Sequence, residues 1–101
     1  MELLTVEVED RSDPVIVRVR GEADIATAAD LADGLSVVGA KRPALVVLEL
    51  SELAFIDCSG VDAILGARHS LAEAGSDLVL RCPTPAVARV LDLLSVDYVT
   101  S

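Results

Sequence analysis

The chain has 101 residues, a length that suits one domain spanning residues 1–101. It is 52% hydrophobic, too apolar for a disordered chain, and Phe55 and Tyr98 are its only aromatics, which leaves little to stack on nucleic-acid bases. Seventeen acidic against eight basic residues give a formal net charge of −9, which argues against direct binding to nucleic acid or to an anionic membrane surface.

The first predicted element is Leu4–Glu9, where apolar and polar residues alternate as in a half-buried strand. Asp10–Pro14 has turn chemistry. Val15–Arg20 is a β-branched second strand with Val15, Val17 and Val19 on one face, and the short turn makes the two strands a hairpin. Gly21 is expected to end it. Thr27 then caps a helix, with Asp30 three residues on. Ala28, Leu31, Leu35 and Val38 follow at helical spacing, and Gly39 suits the stop.

Ala44–Leu48 is apolar on both faces, as expected of a central parallel strand. A polar loop, Ser51–Gly60, leads to a second helix with Val61, Ile64, Leu65, Leu71 and Ala72 on one face and Gly75 at its end. Leu78–Leu80 is a short strand. Thr84 caps a third helix with Pro85 at its first position and Val87, Val90, Leu91 and Leu94 as its apolar face. Val96–Val99 completes the series as a last short strand. The order β-β-α-β-α-β-α-(β) predicts an α/β fold: a small mixed, mainly parallel sheet of four to five strands with helices. On such sheets ligands meet the carboxyl ends of the strands. Two polar segments fall at that edge, Gly21–Thr27 and Ser51–Gly60.

The segment Asp57-Cys58-Ser59-Gly60 brings a carboxylate, a thiol, a hydroxyl and a glycine to a helix start. Free N–H groups there favour an anion, such as a phosphorylated hydroxyl or a thiolate. Gly60 permits close approach of another backbone. The simpler reading is that Asp57 or Ser59 caps the helix. In the other segment, Glu22 and Asp24 form a polar docking surface, or Asp24 or Thr27 serves as the cap.

These two segments, in this order and separation, resemble the STAS domain, whose best-known soluble members are bacterial anti-sigma factor antagonists. The resemblance rests on the opening strand pair, Gly21-Glu22-x-Asp24 with Thr27, the buried strand Ala44–Leu50, Phe55-Ile56-Asp57-x-Ser59-Gly60, and Thr84-Pro85-x-Val87. It implies binding to an anti-sigma factor that is also a serine kinase, release of a sigma factor, and reversal by phosphorylation and a phosphatase. It assigns the partner surface to Glu22, Asp24, Thr27, Asp57, Cys58, Ser59, Gly60 and Val61. The usual phosphoacceptor position is occupied here by Cys58, and Ser59 is the hydroxyl left in the motif. Many relatives continue into a further helix after the last strand, whereas this sequence stops at Ser101.

Three alternatives follow. One is a switched antagonist. Another is a STAS scaffold in a signalling complex, either non-phosphorylatable or gated by redox chemistry at Cys58 and Cys82, which both follow strands toward the same edge. The third is an enzyme with Cys58 as nucleophile, which would need a base. His69, the only histidine, lies eleven positions on along the same helix, roughly 16 Å at 1.5 Å per residue, and falls toward solvent. One histidine and two cysteines do not make a four-ligand zinc site, and no metal or other cofactor is expected. No apolar run approaches the roughly 20 residues of a membrane span, and Met1–Glu7 lacks the basic start of a secretory signal, so the expected location is the cytoplasm.

Overall fold

The computed structural model describes residues 4–10 and 13–101. The elements run β1 (Leu4–Asp10), β2 (Val15–Ala23), α1 (Ala28–Gly39), β3 (Leu45–Ile56), α2 (Cys58–Glu73), β4 (Asp77–Arg81) and α3 (Pro85–Leu93). They form one four-stranded sheet in the order β1-β2-β3-β4. β1 is antiparallel to β2, and β2–β3 and β3–β4 are parallel, so the expected mixed, mainly parallel α/β architecture holds. The hairpin is present, although Arg11 and Ser12 of its expected turn lie outside the described residues.

Strand alternation sets the two faces of the sheet. Val17, Val19, Val46, Leu48, Leu50 and Leu80 face the helices and join Leu31, Leu35, Ile64, Leu71, Val87 and Leu91 in one continuous core. The intervening residues stand on the opposite face. Arg18, Glu49 and Arg81 are cross-strand neighbours there, and Arg81 Nε donates to Glu49 Oε1 at 2.6 Å. Glu49 is only 5% exposed.

Four expectations need correction. β2 does not end at Gly21 but reaches Ala23; Gly21 has φ 99° and sits where the β2–β3 register slips. β3 likewise runs on through Ser51–Ile56, which was expected to be a loop. Its register slips twice, so the buried residues of this half, Leu50, Leu53 and Ile56, recur every third position rather than every second. Alternation cannot reveal such a strand. Val96–Val99 is not a strand: only Val99 bridges to Arg81, because β4 stops at Arg81 and Cys82 turns away at φ 54°. Finally, Ala72 and Leu94 are exposed. Near its end α2 is anchored by Leu71, which packs toward Gly39 of α1 and turns Ala72 outward; Leu94 lies just past the last turn of α3.

Candidate functional site

The ends of β2 and β3 lie side by side, Ala23 opposite Ile56. One hydrogen bond locks the exits together, from Asp57 N–H to the Ala23 carbonyl at 3.1 Å. Asp57 is extended, at φ −120° and ψ −172°, so its carboxylate turns back over the start of α2. Its Oδ1 accepts from Ser59 N at 2.9 Å and Gly60 N at 3.1 Å. The capping alternative for Asp57 therefore holds, and the helix start is not an open anion site: a carboxylate already occupies the N–H groups a phosphate would use. Gly60 is the close-approach residue expected from the sequence. A Cβ there would lie 2.5 Å from the Ala23 carbonyl oxygen and 2.8 Å from Ile56 Cγ1.

The neighbouring loop is fastened from below. Thr27 is 1% exposed; its Oγ1 donates to the Glu22 carbonyl at 2.8 Å and accepts from Asp24 N at 3.0 Å. Thr27 stands at the N-cap position of α1 but gives α1 no side-chain cap. Asp24 Oδ1 accepts from Ala26 N at 3.0 Å, and the Asp24 carbonyl accepts from Thr27 N and Ala28 N. The two polar segments thus form one braced edge at the carboxyl ends of the central strands.

The residues expected to meet a partner divide into two groups. Thr27, Gly60 and Val61 are buried and help build the edge. Glu22 and Cys58 are exposed, and Asp24, Asp57 and Ser59 are half-buried. Cys58 opens α2 with its side chain to solvent, while Ser59 is one residue further in. Two surface residues of this edge were not assigned from the sequence. Ile25 is 82% exposed at the tip of the Asp24–Thr27 turn, and Phe55 is 46% exposed beside Glu22 across the β2–β3 pair. The available signal was an isoleucine inside a polar loop, matched to no helical or strand period.

The thiols do not come together. Both are free. Cys82 is half-buried, and its Sγ donates to the Thr100 carbonyl at 3.3 Å. It follows Arg81, which pairs with Glu49, whereas Cys58 lies beyond Ile56. At about 3.3 Å per residue, and allowing for the bulges, the two stand roughly 15–20 Å apart along the sheet. A disulfide needs alpha carbons within about 7 Å. The expectation of levelled strand ends fails because β3 is longer than its apolar run suggested. His69 is exposed and pairs with Glu73 at 3.7 Å on its own helix. Among the described residues no cluster of His, Cys, Asp or Glu is arranged to hold a metal. A groove between α1 and α2 is lined by Ser36, Gly39, Ala63, Ala67 and Ser70, among others, and includes none of the edge residues.

The chain is a small α/β domain whose central strands end in a braced, side-chain-presenting edge. The STAS domain model matches residues 5–100, and the chain belongs to that family. Its relatives include an anti-sigma-B factor antagonist of Listeria monocytogenes, 31% identical over 78 residues, which cover 76% of this chain and 68% of that protein. An anti-sigma F factor antagonist of Paenibacillus polymyxa is 31% identical over 91 residues, 89% of this chain and 78% of that one. The crystal structure of an anti-sigma factor antagonist from Mycobacterium paratuberculosis superposes with a TM-score of 0.80 at 28% identity, covering 91% of this chain and 78% of that chain. The family read from the two polar segments is thereby borne out. No helix among the described residues is long and apolar enough to cross a membrane.

Proposed function

We propose that this chain is an anti-sigma factor antagonist: it binds an anti-sigma factor in the cytoplasm and so frees a sigma factor. The observation that carries this reading is the braced edge, where Asp57 and Gly60 tie the start of α2 to the loop bearing Glu22 and Asp24. The anti-sigma factor antagonists among its relatives support it. The chain acts by binding and not by catalysis. Cys58 is the only exposed thiol, and the only histidine lies eleven positions away on the same helix, roughly 16 Å.

Reversing one charge on this edge tests the reading. Asp24→Lys is expected to weaken binding to the anti-sigma factor at least tenfold, about 1.4 kcal/mol. Isothermal titration measures the affinity, and an unchanged far-UV circular dichroism spectrum certifies the fold. Full-strength binding by a folded variant rejects this surface.

A serine-kinase partner and a phosphatase would make the antagonist switchable, with Ser59 as the acceptor. One observation favours a second reading, a constitutive antagonist. The exposed side chain at the helix start is the thiol of Cys58, and the hydroxyl of Ser59 is half-buried. Incubation with the kinase and ATP, followed by intact-mass analysis and peptide mapping, separates the two. One phosphate on Ser59 supports the switch, whose roughly two added negative charges would burden a surface that is already acidic. No phosphate on the native chain, with one gained by Cys58→Ser, supports the constitutive reading.

A further inference from the structure

An exposed aliphatic side chain is by itself unremarkable, since much of any protein surface is apolar. Ile25 differs in how it is held. Its loop is fastened by the buried Thr27 hydroxyl and by the backbone and side-chain acceptors of Asp24. Ala23 and Thr27, two residues to either side of it, are the buried members of the segment. Isoleucine is also a poor choice for a tight turn, where Gly, Asn, Asp and Ser have local hydrogen bonding or backbone freedom to offer.

A second apolar group stands on the same edge. Phe55, the only phenylalanine, is Glu22's cross-strand neighbour, one residue before the Ile56–Ala23 pair that closes the sheet. Among the described residues the other exposed large apolar side chains, Val37 in α1, Leu93 and Leu94 at the end of α3, and Val99, belong to other parts of the surface. Two exposed apolar groups on an edge that also carries the carboxylates of Glu22 and Asp24 have the composition of an interface core with a charged rim. Such cores concentrate binding energy in a few anchors, surrounded by groups that exclude water.

From this we infer that Ile25 and Phe55 are the apolar anchors of the docking edge, and that the partner offers an apolar socket bordered by cationic side chains. The apolar pair supplies affinity. Glu22 and Asp24 supply register and steering toward the cations, so association slows as salt rises. This inference rests on the antagonist reading above and names the partner surface that reading requires.

The test titrates the intact chain against the purified anti-sigma factors of its source organism, one at a time. Ile25→Ala and Phe55→Ala are each expected to weaken binding at least tenfold. Val37→Ala and Leu93→Ala are expected to leave it unchanged, and far-UV circular dichroism checks each fold. Because Ile25 is almost wholly exposed, its variants keep the fold; Ile25→Lys sets a cation against the cationic rim and is expected to weaken binding further than alanine. Wild-type-like affinity of Ile25→Ala and Ile25→Lys toward an anti-sigma factor that the native chain binds overturns this inference and leaves the antagonist reading intact. Failure of the native chain to bind any of the anti-sigma factors overturns that reading and this inference with it.

Discussion

Replacing Gly60 with alanine is expected to cost about 3 kcal/mol, the upper end of what overpacking usually costs. The added Cβ would lie 2.5 Å from the Ala23 carbonyl oxygen, 2.8 Å from Ile56 Cγ1 and 2.9 Å from Ala23 Cβ. None of these is the free end of a flexible side chain. The oxygen is backbone and already accepts the Asp57 N–H, so it cannot swing aside without breaking the bond that joins the two strand exits. For a chain of this size each kcal/mol shifts the melting temperature by roughly 4–8 °C, so thermal unfolding should begin roughly 12–24 °C earlier. Gly66, six residues further along α2, is the internal control. A Cβ there meets nothing within 4 Å, and alanine in a helix interior is favoured over glycine by about 0.5–1 kcal/mol. Gly66→Ala should therefore stabilise the chain while Gly60→Ala destabilises it. Equal effects from the two substitutions would show that Gly60 is tolerated for helix propensity and not required for contact.

The contrast between these glycines marks what sequence can and cannot reveal. Gly60 stood out because it follows Asp-x-Ser at a predicted helix start, where close packing has a local cue. The helices were legible because their apolar residues keep a 3.6-residue period, except near the ends of α2 and α3, and the regular part of the sheet was legible through Val15–Val19 and Ala44–Leu48. The far half of β3 was not. Its two bulges space Leu50, Leu53 and Ile56 by three, a period belonging to no regular strand, so a twelve-residue strand looked like a five-residue strand followed by a loop. That single misreading carried into the site. It set Cys58 near the level of Cys82, where the longer strand separates them. Burial was the other hidden quantity. Thr27 belongs to the polar segment by composition, but its hydroxyl satisfies Glu22 and Asp24 from beneath the loop, and only the folded backbone reveals that inversion. The exposure of Ile25 is the same effect in reverse.

Arg81→Met is expected to be the other strongly destabilising change, and its cost should depend on pH. Glu49 lies 5% exposed on the sheet face opposite the helices, with Arg81 Nε 2.6 Å from its carboxylate and Arg18 its register neighbour in β2. Removing one member of a buried ion pair leaves the other charge uncompensated and costs about 3–5 kcal/mol. Arg81 is one-third exposed and Arg18 stays nearby, so about 2–3 kcal/mol is expected at pH 7. Burial pushes the Glu49 carboxyl upward, but hydrogen bonds from Arg81 and Ser51 outweigh it and hold the group below its ordinary value near 4.5. A carboxyl depressed in the folded state binds fewer protons there than in the unfolded chain. Its contribution is therefore present above pH 4.5 and is lost as the pH falls through the folded-state value. Without Arg81, burial gains weight and favours the protonated acid. The variant's deficit should be largest at neutral pH and shrink on acidification, as Glu49 takes up its proton at a higher pH in the variant than in the native chain. Urea unfolding of the native chain and of Arg81→Met at pH 7 and near pH 4 measures this directly. Adding Glu49→Gln to Arg81→Met should recover stability at pH 7, because an amide needs no counter-ion. An equal deficit at both pH values, with no recovery by glutamine, would mean that Arg81 acts by packing its aliphatic stem across the sheet and that the charge of Glu49 is carried by Arg18 alone.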